Sequence, residues 1–310
     1  MHPAIVTTGS VAGLGAGALI WGTVIERNWY AVRSVTVPML APGAAPVRIL
    51  QISDLHLVPR QRRRIEWVRS LIRLEPDLVL NTGDNCSDMD AVPFVLEAME
   101  PFLHLPGAFV LGSNDYFAPW FKNPFSYFAD RRVTAVDRQP EKLPVQELVD
   151  GLGSDGWVDL RNQRETVKAN GTCLELVGVD DPHIDLDDYS AVAGPPSPEA
   201  AGTLGVVHAP YTSVLNAMAA DDIPLIIAGH THGGQVRVPF YGALVTNCDL
   251  DTSRASGLSR WWPGADAGVT APQDPAYLQV SAGLGHSKYS PVRFACRPEA
   301  NLITLVPRVP

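Results

Sequence analysis

Cysteine is scarce and scattered. The four cysteines, at 86, 173, 248 and 296, form no CxxC pair, which excludes both a disulfide framework and a structural zinc site built on thiolates. Basic charge is short as well: 24 Lys and Arg against 33 Asp and Glu give a net charge of −9 and a pI near 5.3. That balance offers no electrostatic footprint for nucleic acid, so no nucleic-acid partner is expected and a nuclease is disfavoured. The one local exception, Arg60, Arg62, Arg63 and Arg64, opens a helix with the apolar stripe Ile65, Val68, Leu71 and Ile72. It reads as a solvated face rather than a phosphate clamp. Internal repeats and low-complexity tracts are missing, and 310 residues suit one large α/β domain.

Charge is absent from Ala4 to Ile25, and a helix of that length, at about 1.5 Å per residue, crosses roughly 30 Å of hydrocarbon. The expectation is an N-terminal transmembrane helix. The chain then divides into an anchor and juxtamembrane segment (1–34), a linker (35–46) and a catalytic domain (47–310). A basic n-region and a small-x-small cleavage site before Glu26 are missing, which argues against a cleaved signal; a buried soluble helix is the other alternative. Arg27 and Arg33 follow the apolar run while only His2 and the amino terminus precede it. The positive-inside rule then favours a membrane-anchored protein with its catalytic domain on the cytoplasmic side, with an external domain left open.

What the chain has in quantity is apolar strands alternating with helical stretches. Val35, Val37 and Met39 alternate before Pro42, Gly43 and Pro46, predicting a short strand and then a linker. From Val47 the pattern predicts strand 47–53, helix 61–74, strand 77–81, helix 91–104 and strand 107–111. Strands dominate the second half: Cys173 to Val179, Leu204 to Val207, Leu225 to Ala228, Val236 to Val238, Tyr277 to Val280 and Leu302 to Val306. The expected class is α/β, with two mixed β-sheets packed together and flanked by helices. Gly194 to Pro198, and Ser253 to Gly268 with its Trp261-Trp262 pair, read as surface loops. The aromatic stretch Phe117, Trp120, Phe121, Phe125, Tyr127 and Phe128 reads either as core packing or as an apolar wall over a site.

Carboxylates and imidazoles gather where the apolar runs stop. Asp54 and His56 follow Val47 to Ile52, Asp84 follows Asp77 to Leu80, His208 follows Leu204 to Val207, and His230 and His232 follow Ile223 to Ala228. Rigid strand ends on one sheet edge bring such groups together. Carboxylate oxygen with imidazole nitrogen, without thiolate, favours Mn, Fe, Co or Zn over Ca.

In chain order, Asp54-x-His56, Gly83-Asp84, Gly112-x-Asn114-Asp115, His208 and Gly229-His230-x-His232 resemble the motifs of the calcineurin-like metallophosphoesterase family, over Val47 to Leu305. The text from Gln51 to Leu57 and from Gly229 to Gln235 looks like its bacterial membrane-associated branch. The resemblance implies a four-layer sandwich and two divalent metal ions (Mn, Fe, Zn or Co) about 3.5–4 Å apart. It assigns Asp54, His56 and His232 to one ion, His208 and His230 to the other, and Asp84 to the bridge. It implies hydrolysis of a phosphomonoester, phosphodiester or pyrophosphate by attack of a metal-bridged hydroxide. Anchor and aromatic stretch together point to a lipid-linked substrate, with a nucleotide as another candidate.

One motif departs from the family. Where Gly-Asn-His is usual, this chain has Gly112, Ser113, Asn114 and Asp115. Ungapped, Ser113 takes the ligand slot and Asn114 the His slot. A one-residue shift lets Asn114 ligate and leaves Asp115 near the leaving group, and an amide oxygen is the better ligand. The expected catalytic residues are therefore Asp84, Asn114 and Asp115, with His183 and His286 as replacements to consider for the missing His. Loss of that His motivates an alternative, a metal-binding interaction module with weakened catalysis.

Overall fold

Strands that are apolar on both faces need cover on both sides, and that requirement organises this chain. A computed structural model describes residues 15–120 and 141–308. The first sheet holds β1 (Ala31–Leu40), β2 (Val47–Ile52), β3 (Leu78–Asn81), β4 (Gly107–Phe109), β5 (Val158–Asp159) and the last strand, β14 (Glu299–Pro307), in the order β1-β14-β2-β3-β4-β5. β14 runs antiparallel to β2, and the other pairs are parallel. The second sheet contains β6 (Gln163–Ala169), β7 (Thr172–Gly178), β8 (Gly202–Val207), β9 (Leu225–Ala228), β12 (Gly257–Trp261) and β13 (Ala276–Val280), in the order β12-β13-β9-β8-β7-β6. Its centre is parallel and its two outer pairs are antiparallel. A short hairpin, β10 (Arg237–Val238) with β11 (Gly242–Ala243), stands apart.

Alternation along each strand divides the core into layers. Ile49, Leu78, Leu80, Leu176, Leu204, Leu225 and Ile227 fill the space between the sheets. Leu50, Ile52 and Val79 point the other way, under helices Arg62–Ser70, Val92–Met99 and Val145–Gly153. Val207, Ile226 and Ala228 meet helix Thr212–Ala220 on the outer face of the second sheet. Each fully buried Leu or Ile contributes roughly 1.5–3 kcal/mol, so both sheet faces and both helical layers are fastened. The expected two mixed sheets flanked by helices are present.

The amino-terminal expectation is not met. Among the described residues no helix is long and apolar enough to cross a membrane. Residues 15–20 are helical, then the chain widens into a π turn, Trp21–Ile25, and tightens into a 3-10 turn, Glu26–Asn28. Residues 4–14 of the expected span lie outside the described residues. Just past the run the chain meets the body: Glu26 is buried and accepts from the backbone N–H groups of Ala295 and Cys296, while Leu19, Ile20, Val24 and Ile25 stay exposed. The membrane-anchored placement, and the cytoplasmic side argued from Arg27 and Arg33, are corrected accordingly.

Three local readings also change. Residues 31–40 form an edge strand paired in parallel with β14, so most of what precedes Pro42 belongs to the sheet. The expected loop 253–268 contains β12, which pairs with β13 and buries Trp261 completely. Within the arginine cluster Arg64 is not solvated: it is buried and donates to the carbonyls of Leu55 and His56 at 2.6 and 3.3 Å. Of the aromatic stretch, Phe121, Phe125, Tyr127 and Phe128 lie outside the described residues.

Candidate metal centre

β2 and β3 of the first sheet and β8 and β9 of the second all deliver their carboxyl ends to one place, and the chain must turn sharply there. Asp54 (φ 50°), His56 (φ 42°), Asp84 (φ 55°), His230 (φ 69°) and His232 (φ 50°) all adopt left-handed backbone. Such conformations cost a non-glycine residue of order 1 kcal/mol or more each and persist where surrounding structure enforces them. Glycines make room: a Cβ on Gly229 would lie 2.1 Å from Ser53 Oγ and 2.7 Å from Asp54 Oδ2. Gln51, fully buried, ties the two sheets by donating to Ala228 O at 2.8 Å.

Two groups of side chains converge, Asp54, His56, Asp84 and His232, and Asp84, His208 and His230. In the first, His56 Nε2 and His232 Nε2 are 3.0 Å apart, and His232 Nε2 is 3.6 Å from Asp54 Oδ1. In the second, His230 Nδ1 and His208 Nε2 are 3.3 Å apart. Asp84 Oδ2 lies 3.4 Å from His56 Nε2 and 3.5 Å from His208 Nε2, joining the groups. The far nitrogens are engaged elsewhere. His208 Nδ1 meets Thr82 O at 2.7 Å, His230 Nε2 meets Asn247 O at 3.1 Å and His56 Nδ1 meets Ser87 Oγ at 3.0 Å. A carbonyl can only accept, so His208 and His230 each carry a proton outward and leave the other ring nitrogen facing inward. Two ring nitrogens facing one another at this distance suit a shared cation.

The electrostatics agree. Burial pushes the His56 imidazole down to about 4. His230 and His232 are held well below the ordinary range, first by burial and then by neighbouring imidazoles and, for His232, Arg293. These rings stay uncharged and free to ligate. Burial opposes charge on Asp84 too, but the imidazoles of His208 and His56 outweigh it and hold the carboxyl well below its usual value. His208 moves the other way, because Asp84 and Asp181 overcome its burial. Asp54 is pushed up to about 6 by burial, with Asp84 adding to the rise. Two carboxylates this close require positive charge between them to ionise together.

Asn114 reaches the centre. Its Nδ2 and its backbone N–H each donate to Asp84 at 2.8 Å, whereas Ser113 Oγ contacts Asn114 Nδ2 at 3.5 Å. Since amide oxygen and nitrogen are distinguished only by their partners, a rotated Asn114 amide would turn its oxygen to the same place. Asp115 faces elsewhere: its carboxylate accepts from the backbone N–H groups of Asp84, Asn85 and Gly112 at 2.8, 2.8 and 3.1 Å. Burial and Asp84 raise it to about 7. His183 packs its ring 4.7 Å from that of His230 and places Nδ1 2.9 Å from Tyr211 Oη, so it borders the centre. His286 is buried and meets Ser287 O at 3.1 Å. Cys86 is a buried thiol pushed up by burial and by Asp115.

Sequence reasoning missed Arg293, which is fully buried with Nη2 3.3 Å from His232 Nδ1. It also missed Asn247 and Ser87. None follows a strand motif, and the one available signal was an arginine within the short run that precedes β14.

Two mixed sheets with a carboxylate and imidazole cluster across their strand ends define an α/β metal-dependent hydrolase. The chain belongs to the calcineurin-like phosphoesterase family, whose family model matches residues 47–234. It is accordingly an enzyme, a phosphoesterase, and family and cluster together support divalent metal binding. Similar proteins include the uncharacterized metallophosphoesterase YkuE of Bacillus subtilis, 26% identical over 96% of this chain and 95% of that protein. The phosphodiesterase YaeI of Escherichia coli is 24% identical over 91% of this chain and 90% of its own length. A transmembrane protein with metallophosphoesterase domain from Bos taurus is 28% identical over 66% of this chain, which spans 45% of that protein.

Proposed function

We propose that this chain hydrolyses phosphate esters at a dinuclear centre held by Asp54, His56 and His232 on one side and His208, His230 and Asn114 on the other, with Asp84 between them. The observation that carries the reading is the placement of Asp84 Oδ2 between His56 Nε2 and His208 Nε2, at 3.4 and 3.5 Å. Divalent ions bound there would supply Lewis acidity, lowering the pKa of water and neutralising the phosphate. The protein's own residues hold this arrangement. Thr82 and Asn247 carbonyls orient the rings of His208 and His230, and burial keeps His230 uncharged.

Proton delivery differs from the family pattern. Asp115 spends its carboxylate on backbone N–H groups, so we assign it to positioning the Asp84 turn rather than to the leaving group. Asn114 donates a hydrogen bond but no transferable proton. General acid catalysis contributes about 10²–10⁴-fold, most for poor leaving groups, so this enzyme should favour esters with good ones, such as aryl or nucleotide phosphodiesters. A lipid-linked substrate had two supports, of which the anchor is corrected above and most of the aromatic stretch lies outside the described residues. The substrate class is therefore proposed as phosphate esters with good leaving groups. Family membership favours the enzyme over the alternative of a metal-binding interaction module.

The test is metal content by mass spectrometry and Mn-dependent hydrolysis of bis(4-nitrophenyl) phosphate by the full chain. We expect bound divalent metal, turnover, and a loss of about 10²-fold or more in Asp84→Asn. A wild-type protein with neither metal nor Mn-dependent turnover would overturn the proposal.

A further inference from the structure

His232 is gripped from behind by a segment outside the residues matched by the family. Arg293, fully buried, donates through Nη2 to the carbonyls of Ala282 at 2.7 Å and Gly285 at 2.6 Å, and the same nitrogen lies 3.3 Å from His232 Nδ1. Cys296 Sγ donates to the carbonyl of His232 at 3.3 Å. Residues 293–296 therefore pack against the ring and bond the backbone carbonyl of one metal-site residue.

That segment is held in turn by Glu26. One Glu26 oxygen accepts from Cys296 N–H at 2.6 Å, and the other accepts from Ala295 N–H at 3.0 Å and from the Trp21 indole at 2.7 Å. Ala295 has φ 51°, and successive N–H groups around such a residue converge on an anion. Left-handed alanine is strained, so the carboxylate opposes relaxation of this turn. Gly22 fits against the same segment: its carbonyl accepts from Arg293 N–H at 3.1 Å, and a Cβ there would lie 2.8 Å from Arg293 O.

We propose that Glu26 is a positioning residue of the metal centre: by clamping Ala295 and Cys296 it sets Arg293, and through Arg293 and Cys296 it sets His232. The inference rests on the metal-centre reading above. It links the amino-terminal segment, which lies before the family-matched region 47–234, to one ligand of the site.

The experiment compares full-length wild type, Glu26→Gln and Glu26→Ala with Met218→Ala, whose cavity opens on the outer face of the second sheet. Two quantities are read in folded protein: the His232 imidazole nitrogen resonance without metal, and Mn affinity by calorimetry. Residues that steady a ligand from its far side typically account for about 10–100-fold in metal affinity. We expect a loss in that range for Glu26→Ala, a smaller one for Glu26→Gln, which keeps one acceptor oxygen, and a moved His232 resonance in both. Met218→Ala should leave both readings unchanged. Wild-type affinity and an unmoved resonance in the Glu26 variants would overturn the proposal, as would an equal loss in Met218→Ala. If Glu26→Ala does not fold, Glu26→Gln decides. Failure of the wild type to bind Mn would overturn the metal reading instead, and the metal-free resonance would still decide the link from Glu26 to His232.

Discussion

Asp115 serves the metal site without facing it. Its carboxylate takes hydrogen bonds from two adjacent N–H groups of the Asp84 turn and one of the Gly112 turn, and those turns carry Asp84 and Asn114. A carboxylate is suited to the task because it only accepts. In Asp115→Asn one acceptor becomes a donor facing backbone N–H groups, and hydrogen bonds to charged groups contribute about 1.5–3 kcal/mol. Relief of the buried charge that raises Asp115 to about 7 offsets that loss in stability, so the expected effect is weakened Mn binding, measured by calorimetry. Wild-type Mn affinity in this variant would refute the positioning role. The left-handed residues share this logic: Asp54, His56, Asp84, His230 and His232 are each bent at a cost that packing elsewhere must offset.

Strand ends set the geometry at the next scale, and glycines set how closely they approach. Gly112 has φ −115°, which any residue adopts, so its requirement is space. A Cβ there would lie 2.3 Å from Asp84 Oδ1 and 2.5 Å from His208 Nε2. Gly112→Ala should therefore lose about 1–3 kcal/mol of stability and at least about 10-fold in Mn affinity and turnover, because the displaced groups are the proposed ligands. Unchanged Mn binding would show that the ligands relax freely. At this scale the paired strands β1 and β12 also explain two misread segments. Val35, Val37 and Met39 already alternate in sequence, but the strand runs over all of 31–40 because β14 offers it an edge, and 257–261, with only Leu258 and Trp261 apolar, is a strand because β13 does the same.

At the scale of the whole molecule, burial of His286 behind the site makes one contribution to the response to pH. His286 is pushed down to about 3, by burial first and then by Arg64. Its unfolded value is about 6.5. Between those limits the unfolded chain holds a proton that the folded chain lacks, so acidification favours unfolding by about 1.4 kcal/mol per pH unit. Above about pH 6.5 the residue contributes no pH dependence. In metal-free protein His286→Asn should show a shallower loss of stability from pH 6.5 downward, read from urea midpoints. Equal slopes in variant and wild type would contradict the burial argument. His56, at about 4 for the same reason, adds a slope of the same sign that both proteins share.

Sequence by itself determined the period-two strands, the layered α/β class and the order of carboxylates and imidazoles at the strand ends. These are local properties: alternation, chain direction and the residue that follows an apolar run are written in neighbouring positions. Only the tertiary structure decided what lies behind the ligands. Arg64 reads as a surface charge until its guanidinium meets Leu55 and His56 carbonyls, and Arg293 carries no motif. Glu26, just past the charge-free run, carries no motif either, and its carboxylate meets backbone N–H groups 269 and 270 residues away. A buried charge is stable only beside partners that remove its desolvation cost, and those partners come from chain segments brought together by folding rather than by sequence proximity.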